Sequence, residues 1–503
     1  MTKAGFGMWN WIVLIIYLLA MLGVGVYFTK KASKNTDAFF KAEGKIPAWA
    51  AGFSIYATTL SAITFMSTPE QAFLNDWAYA IGNFSILLII PLLVKFYVPF
   101  FRKLNVTTAY EYLEERFSPV MRAISSLLFM LYHIGRIAIV IYLPIIAITS
   151  VSNINPIVIA LAIGPLCIIY TFLGGIEGVI WSDVIQGFLL LGGALLVCIL
   201  GVTYIKGGFS TVFQDISTHQ KVLSGADFNV HDLSKFVPLI LAGQIFNSLY
   251  QYTGSQDVVQ RYQTTGSMKE AKKSLYTNGL LALITIPLFF GMGTILFSFY
   301  QHAGSLPKGF NTSAVVPYFI ITEMPAGVAG LVIAGIFAAA QSTIASSLNA
   351  ISSCAVTDFK QRFFDDKLKG LKDVTLARII IIIAGVLSLS VAIYLLMGNA
   401  SQTWNLFLTV TGIFGVPIAG IFAVGIFTKR ANTTGVLIGL VCSVALSFYV
   451  QSLNISSLLV ACSAFISSFI LSYGISLLVP TQLKNITGLT VSTIKETYVR
   501  EGK

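Results

Sequence analysis

Long apolar runs follow one another along almost the whole chain, separated for the most part by short polar loops. Each run approaches the roughly 20 residues that an α-helix needs to cross the hydrocarbon core of a bilayer. Because backbone polar groups must be paired internally in lipid, such runs predict helices rather than open sheets. The pattern predicts an all-α integral membrane protein with about thirteen spans, at residues 8–29, 47–67, 77–101, 121–150, 156–174, 178–205, 234–252, 272–301, 325–356, 374–397, 403–427, 433–452 and 455–479.

Two of these spans, 47–67 and 234–252, are short and rich in glycine, serine, threonine and asparagine. They lie five spans apart, and interrupted segments at matching positions in two halves of a chain are typical of a transporter's midplane binding site. Unwound backbone frees carbonyls for a cation, while half-helix N-termini favour an anionic substrate group. We therefore predict two broken helices. The alternative is close helix packing through small residues.

The composition agrees with a membrane location, since 56% of the 503 residues are hydrophobic and only 11% are charged. A net charge of +11 could suggest nucleic acid, but 25 of the 32 lysines and arginines fall in loops on one side of the predicted spans, Arg261 among them. Such an excess marks the cytoplasmic side. We therefore expect an external N-terminus, a cytoplasmic C-terminus and no nucleic-acid partner. The five cysteines lie in apolar runs without CxxC spacing, which favours plain packing over a metal site or disulfides.

Arg136 lies in the middle of a predicted span. A buried arginine in a membrane needs a cavity or a partner, and its planar fork suits a carboxylate. It is therefore a candidate anchor for an acidic substrate. The alternatives are snorkelling or a structural ion pair with Asp183 or Glu177. His133, on the same helix face, is either a proton carrier or a hydrogen-bonded packing residue.

Two further groups of polar residues could bind a cation. Asp183 stands where a predicted span re-enters the membrane, as either a cation ligand or a helix cap. Ser342 and Ser346 are four residues apart and so share one helix face. Hard cations such as Na⁺ take clustered oxygen ligands. A row of hydroxyls can also serve only to hold helices together, so the residues alone leave both interpretations open.

Several short stretches, each weak alone, occur in a specific order and spacing. They are Tyr56-Ala-Thr-Thr-Leu-Ser-Ala-Ile-Thr-Phe-Met-Ser67, Phe100-Phe-Arg-Lys-Leu104, Tyr110-Glu-Tyr-Leu113, His133-Ile-Gly-Arg136, Gly174-Gly-Ile-Glu-Gly-Val-Ile-Trp-Ser-Asp-Val-Ile-Gln-Gly187, Ser255-Gln-Asp-Val-Val-Gln-Arg-Tyr262 and Ile336-Phe-Ala-Ala-Ala-Gln-Ser342. Together they resemble the sodium:solute symporter family over nearly the whole chain, most densely from Ala50 to about Arg430, and within it the bacterial sialic acid carriers.

The resemblance implies a leucine-transporter-type fold with two inverted repeats of five helices. One transmembrane domain would cover residues 1–480, followed by a cytoplasmic tail at 481–503. Within it would lie an extra helix at 8–29, repeats at 47–205 and 234–427, and trailing helices at 433–479. The two predicted broken helices would each belong to one repeat, in agreement with the interpretation drawn from their residues.

The resemblance also implies a main sodium site between the first broken helix and the row of hydroxyls. Its ligands would be the carbonyls of Ala57, Leu60 and Ala339 and the hydroxyls of Ser342 and Thr343. Some relatives bind a second sodium ion through residues that match Asp183, Ser342 and Ser346. A hydroxyl residue of that second site is replaced by Ala345 here, so a second ion would need a carbonyl or water in its place.

For the substrate, the resemblance implies that Arg136 holds a carboxylate and that other side chains contact the remaining polar groups. These other residues are Thr59, Ser61, Thr64, Tyr79, Asn83 and, as the loosest assignment, Phe246. The sialic acid carriers have glutamine where this chain has Asn83, so contacts with the side groups of the sugar could differ.

We therefore expect a sodium-driven symporter for an acidic sugar, with N-acetylneuraminic acid as the substrate, in a bacterial-type plasma membrane. The chain would work as a monomer in the lipid bilayer. An enzyme is not expected, because no converging nucleophile, base or metal set is evident. The alternative function is symport of proline or a monocarboxylate. Protons could replace Na⁺ as the coupling ion, since His133 and Asp183 can both titrate.

Overall fold

The helices of the protein follow the apolar runs of the sequence closely. A computed structural model describes residues 6–149, 155–368, 370–398, 403–479 and 485–494. Within these ranges the structure is helical, and the sole β pairing is an isolated parallel bridge between Ile46 and Thr265. The predicted all-α class is therefore confirmed.

The helices are labelled α1 to α21 in chain order. Their bounds are α1 Met8–Ala32, α2 Thr36–Lys41, α3 Ala48–Thr59, α4 Ala62–Leu74, α5 Ala78–Asn83, α6 Ser85–Leu92, α7 Val98–Leu104, α8 Tyr110–Arg116, α9 Pro119–Thr149, α10 Pro156–Tyr204, α11 Phe209–Thr218, α12 Val237–Leu249, α13 Gln256–Gln263, α14 Met268–His302, α15 Val315–Glu323, α16 Val328–Cys354, α17 Asp373–Met397, α18 Thr403–Val410, α19 Val416–Phe427, α20 Thr433–Ser452 and α21 Ser457–Leu478. Widened π-type turns at Leu93–Tyr97, Tyr250–Gly254, Ala355–Phe364 and Thr411–Gly415 continue several of them.

Ten helices in the described ranges are long and apolar enough to cross a membrane. The predicted spans 47–67 and 234–252 correspond to interrupted helices, each made of two shorter pieces. The predicted spans 156–174 and 178–205 are joined in α10, which bends at Gly175 (φ 55°, ψ −167°). That backbone conformation is open to glycine and strained for other residues. The count of thirteen stays a prediction.

Helix α16 runs through the centre of the bundle and is buried along almost its whole length. It packs against α1, α3, α9, α10 and α17. A helix surrounded on all sides by protein can carry serine and threonine on every face, because each hydroxyl can bond to a neighbour or to its own backbone. The row of hydroxyls predicted to hold a cation therefore faces other helices and not lipid.

The second broken helix extends further than predicted. The expected end was residue 252, and the polar stretch after it was assigned to a cytoplasmic loop together with Arg261. In the structure residues 256–263 form α13, and Arg261 is 0% exposed. The loop assignment of Arg261 is therefore wrong. Its charge and polarity indicated a loop, whereas ion pairing inside the bundle compensates that charge.

The predicted tail, 481–503, is described only at 485–494. Leu489 in this segment is buried, and its carbonyl accepts a hydrogen bond from the Tyr112 hydroxyl at 2.9 Å. Val491 N donates to the carbonyl of Ile426 at 2.9 Å. This part of the tail therefore packs against α8 and α19. The rest of the predicted tail lies outside the described residues.

Candidate functional site

The first broken helix is interrupted at two extended residues, Leu60 (φ −91°, ψ 112°) and Ser61 (φ −114°, ψ 177°). The Ser61 hydroxyl accepts a hydrogen bond from the Ile63 amide at 3.2 Å and so caps α4. Because α3 stops at Thr59, carbonyls of its last turn and amides at the start of α4 lack helical partners. The break therefore places a partly negative and a partly positive helix end within a few residues.

The second broken helix is interrupted at Ser255, which is extended (φ −92°, ψ 113°) after the widened turn Tyr250–Gly254. His133 supports this break from α9. Its two ring nitrogens lie 3.1 Å from the Ser255 hydroxyl and 2.8 Å from the Ser347 hydroxyl, and the ring is fully buried. Both nitrogens are thus engaged by hydroxyls, which favours the interpretation of His133 as a hydrogen-bonded packing residue.

A cavity of about 170 Å³ lies between the first break and the part of the second broken helix that precedes Ser255. By the same measure a single water needs roughly a tenth of this volume. Its polar wall includes Thr59, Ser61, Thr64, Asn83, Gln244, Asn247, Ser248, Gln251 and Thr411. Its apolar wall includes Ile286, Phe289 and Phe290 on α14. A cavity with one polar and one apolar wall suits a small polyhydroxylated molecule that also carries carbon-bound hydrogens.

Four of the seven residues predicted to bind substrate line this cavity, namely Thr59, Ser61, Thr64 and Asn83. Tyr79 lies outside its wall, with its hydroxyl 3.3 Å from the Ser234 carbonyl. Phe246 points away from it and stacks on Phe465, with ring centroids 4.4 Å apart. The roles of Tyr79 and Phe246 in binding stay predictions, and the structure gives both side chains other contacts.

The seventh predicted residue, Arg136, is 1% exposed and lies behind the cavity wall. Its Nη1 donates to Asp257 Oδ2 at 2.9 Å, and its Nη2 donates to the Thr58 carbonyl at 2.9 Å. The carboxylate bound to Arg136 is thus that of Asp257. The structural ion pair with Asp183 or Glu177, which the sequence left open, is not formed. Sequence reasoning missed Asp257 because its stretch was assigned to a loop. The signal was available: Asp257 and Arg261 are four residues apart and share a helix face.

Four polar cavity residues on the second broken helix were not predicted from the sequence, namely Gln244, Asn247, Ser248 and Gln251. Neither the amide nitrogen nor the amide oxygen of Asn247 has a hydrogen-bond partner within the described part of the chain, and the same holds for Nε2 of Gln251. Buried polar groups are rarely left unpaired. Gln244, Asn247, Ser248 and Gln251 follow a three- and four-residue spacing, which places them on one helix face. These unpaired amides are suited to bind polar groups of a substrate.

The predicted ligands of the main sodium site lie on two helices in direct contact. Ala57 and Leu60 are at the end of α3, and Ala339, Ser342 and Thr343 are on α16. One turn away, the hydroxyls of Thr58 and Ser346 are 3.0 Å apart and join the two helices. Carbonyls at a helix break together with hydroxyls form a donor set that fits Na⁺, a hard cation that accepts neutral oxygen ligands.

The predicted ligands of a second sodium site also lie together, but around a side chain that was not expected there. Ser342 Oγ donates to Asp183 Oδ1 at 2.6 Å. Nη2 of Arg261 donates to Asp183 Oδ2 at 2.9 Å and to Ser346 Oγ at 2.6 Å. The three predicted ligands are therefore joined by the guanidinium of Arg261.

Known proteins resemble this chain over most of its length. The model of the sodium:solute symporter family matches residues 39–443. The sodium/sialic acid symporter SiaT of Proteus mirabilis is 47% identical over 440 residues, covering 87% of this chain and 88% of that protein. The sodium/sialic acid symporter NanT of Aliivibrio fischeri is 45% identical over 453 residues, covering 90% and 89%.

Two solved structures support the fold. A Na⁺-coupled sialic acid symporter in a substrate-bound outward-open state matches with a TM-score of 0.88 and 42% identity, covering 95% of this chain and 99% of that one. Mhp1, a nucleobase-cation-symport-1 transporter, matches with a TM-score of 0.59 at 14% identity, covering 88% and 95%, which bears on the fold alone. The predicted leucine-transporter-type fold is confirmed. Its division into repeats stays a prediction.

Proposed function

This chain belongs to the sodium:solute symporter family, and from that membership we propose that it takes up a sialic acid, driven by the inward Na⁺ gradient. Na⁺ is the coupling ion, and the chain is a transporter rather than an enzyme. It is a multi-pass protein of the plasma membrane. Two relatives named for sialic acid, at 47% and 45% identity, support this substrate class.

Coupling between sodium binding and substrate binding is supported by one observation. The break at Leu60 and Ser61 belongs both to the substrate cavity and to the predicted main sodium site. Thr59 and Ser61 line the cavity, while the carbonyls of Ala57 and Leu60 belong to the predicted main sodium site. An ion that orders this break therefore also places the hydroxyls that contact the substrate. By linkage, the substrate must raise the affinity for the ion by the same factor.

The transport cycle follows from this shared element. Na⁺ enters from the outside and holds the end of α3 against α16, which completes the substrate cavity between the two broken helices. The substrate then binds, the outer side closes and the inner side opens. In this arrangement the N-terminus is outside and the C-terminus is cytoplasmic. Both broken helices belong to the same chain, and we expect this chain to transport as a monomer.

The substrate contacts divide by chemistry. Thr59, Ser61, Thr64 and Asn83 bind hydroxyl and amide groups of the sugar from the cavity wall. Arg136 binds the carboxylate, and for this it must exchange its present contact with Asp257. Asn83 is shorter than the glutamine of the sialic acid carriers, so it leaves more room beside the substituents of the sugar. A monocarboxylate or proline is the second candidate substrate, because Arg136 would suit any carboxylate.

The test is uptake of radiolabelled N-acetylneuraminic acid into proteoliposomes under an inward gradient of Na⁺ or, separately, of H⁺. Concentrative uptake with Na⁺ alone is the expected result. Excess unlabelled N-acetylneuraminic acid should inhibit this uptake, while proline and pyruvate should not. Uptake that follows the H⁺ gradient would contradict sodium coupling. If folded protein transports proline or pyruvate under a Na⁺ gradient but no sialic acid, the substrate class is wrong and the fold is unaffected.

A further inference from the structure

Helix α11, which connects the spans α10 and α12, carries two large aromatic side chains at its surface. Phe209 is 63% exposed and Phe213 is 66% exposed. The two residues are four positions apart on the helix, and their ring centroids are 6.4 Å from each other. They therefore form one aromatic face. A single exposed apolar side chain is ordinary, so the meaning of this face depends on where α11 lies.

A second face of α11 is held against the C-terminal end of α14. Val212 and Asp215 are buried. The Ser298 hydroxyl donates to Asp215 Oδ2, and Nε2 of His302 lies 3.0 Å from both oxygens of the same carboxylate. Asp215 is also the only charged residue in the sequence of α11. These contacts fix the rotation of α11 about its own axis and leave the aromatic face uncovered.

The contact with α14 places α11 at the surface of the bilayer. α14 is a membrane span that begins with Lys269, Lys272 and Lys273, and lysines of this kind mark the boundary with water. The hydrocarbon core takes about 20 helical residues, so counted from Lys273 it ends near Gly293. Ser298 then lies roughly 7.5 Å beyond the core, at the level of the lipid headgroups.

The path of the chain into α11 agrees with this level. The span α10 has exposed apolar side chains at Leu195 and Ile199, and it ends at Tyr204. The chain then turns at Gly207 and Gly208, whose φ angles are 92° and 55°. Since α11 begins five positions after Tyr204, its start lies beside the end of a lipid-facing span. The aromatic face thus continues an apolar surface that is already in the membrane.

We propose that the aromatic face of α11 is inserted in the lipid interface, on the side of the membrane expected to be external. A helix with one apolar face at this level is stabilised by moving that face out of water, and aromatic side chains are enriched there. The partner of this surface is therefore the lipid bilayer. α11 in turn ties the outer end of α14, the helix that forms the apolar wall of the cavity, to the membrane surface.

The remaining face of α11 fits a position at the membrane surface. At about 100° per residue, Gln214 lies about 140° around the helix from Phe209, and Thr218 lies about 140° from Phe213. Both polar residues are exposed. One face of α11 is thus apolar, a second is bound to α14 and a third is polar, as expected for a helix between lipid, protein and water. Because its one charge is turned to α14, insertion should not depend on anionic lipid.

The first test is quenching of an introduced tryptophan by brominated lipid in nanodiscs, with the fluorescence of the unaltered protein subtracted. Phe213→Trp and Gln214→Trp place the probe at adjacent positions on different faces. Phosphatidylcholine brominated near the headgroup end of its acyl chains should quench Phe213→Trp, and aqueous acrylamide should quench Gln214→Trp. The lipid quenching should be the same when part of the phosphatidylcholine is replaced by phosphatidylglycerol. No lipid quenching of Phe213→Trp, or equal lipid quenching of both variants, would overturn the inference.

The second test is hydrogen exchange of residues 209–218 in nanodiscs. Phe209→Ser combined with Phe213→Ser removes the aromatic face and should speed this exchange by roughly tenfold, since burial of each ring stabilises the inserted helix. Gln214→Ser combined with Thr218→Ser is the matched control and should exchange like the unaltered protein. Unchanged exchange in the first variant would overturn the inference. So would exchange that is slow only when two chains share a nanodisc, because the face would then pack on a second copy.

Discussion

Arg136 and Asp257 form an ion pair inside the protein, with Nη1 of the arginine 2.9 Å from Oδ2 of the aspartate and both side chains almost fully buried. The same guanidinium donates to the carbonyl of Thr58 at 2.9 Å, next to the backbone that belongs to the predicted sodium site. Arg136 therefore joins α9 to both broken helices. In this arrangement Asp257 is bound to the guanidinium group that would have to bind the carboxylate of an acidic substrate.

Replacing Asp257 by asparagine should raise the affinity for substrate. The amide keeps the shape of the carboxylate but is not an anion, so it binds Arg136 less tightly. The carboxylate of the substrate can therefore displace it from the guanidinium at a lower cost in free energy. Arg136→Ala should lower the affinity by about ten- to a hundredfold, as expected for a charged hydrogen bond worth ~1.5–3 kcal/mol. Binding of N-acetylneuraminic acid at saturating Na⁺, measured by calorimetry, distinguishes the two variants.

The control for this pair is the double variant Arg136→Gln with Asp257→Asn. Each single change leaves one buried charge unpaired, at a cost of ~3–5 kcal/mol in the free energy of unfolding, whereas the double variant removes both charges. We expect it to recover much of the thermal stability lost by the single variants but not the affinity for substrate. Wild-type affinity in a well-inserted Arg136→Ala protein would assign Arg136 to structure alone.

Thr343→Ala should weaken sodium binding by roughly ten- to a hundredfold, because the hydroxyl is one of only two side-chain oxygens in the predicted main site. In the structure this hydroxyl donates a hydrogen bond to the Ala339 carbonyl at 3.3 Å, so these two predicted ligands lie next to each other. Thr343→Ser keeps the hydroxyl and should restore binding. The measurement is the Na⁺ concentration that gives half-maximal uptake.

A matched control is available on the same helix. Ser352 is fully buried and its hydroxyl donates only to the Asn349 carbonyl of α16, at 2.8 Å, in the contacts of the described chain. Ser352→Ala removes a similar group about two and a half turns further along α16 and should leave the Na⁺ dependence unchanged. Equal Na⁺ dependence in Thr343→Ala and Ser352→Ala would remove Thr343 from the site.

Asn247→Ala should lower the affinity for N-acetylneuraminic acid by about fivefold for each hydrogen bond lost, at ~1 kcal/mol per bond. Both polar atoms of its amide are buried without a partner at the cavity. Phe246→Leu, one residue earlier, should change affinity little, because Phe246 packs on Phe465 on the other side of α12. Competition binding with labelled substrate compares the two. A larger effect from Phe246→Leu would favour the sequence-based assignment of Phe246 to the substrate site.

The main elements of the fold were predictable because they depend on the local sequence. Long apolar runs can pair their backbone groups in a membrane only as helices, and the polar interruption around Leu60 fell where the first break lies. The second break was placed too early, because residues 255–263 carry both charges and amides. Their burial depends on partners far along the chain, such as Asp183 for Arg261, and no local pattern contains that pairing.

The direction of individual side chains was harder to predict. Phe246 and Asn247 are neighbours on α12, yet one packs on α21 and the other lines the cavity. In a soluble helix the polar face would indicate the outside, but helices inside a membrane bundle are surrounded by protein and lipid, and this signal is lost. The resemblance identified Thr59, Ser61, Thr64 and Asn83 on the cavity wall, and it could not supply the ion pairs of Arg136 and Arg261.

Lys221 allows a prediction about pH. It lies in the loop between α11 and α12, where Nζ donates to the carbonyls of Phe73 and Asn75 at 2.8 and 2.9 Å, at the end of α4. Nζ also lies 3.8 Å from the centroid of the Phe297 ring. Burial opposes the charged form and lowers the pKa of Lys221 to about 8. An unfolded lysine titrates near 10.4.

Between pH 8 and about 10.4 the unfolded chain therefore holds more protons at this position than the folded chain, so this lysine makes the free energy of unfolding rise with pH. Lys221→Met cannot titrate and should lack this contribution. Thermal unfolding of both proteins in nanodiscs between pH 7 and pH 10 isolates it, since every other group titrates alike in the two. We expect the melting temperature of the wild type to increase relative to that of Lys221→Met as the pH rises above 8. Parallel curves would mean that Lys221 titrates alike in the folded and unfolded chain, and a loss of stability through pH 8 would mean that its charge stabilises the end of α4.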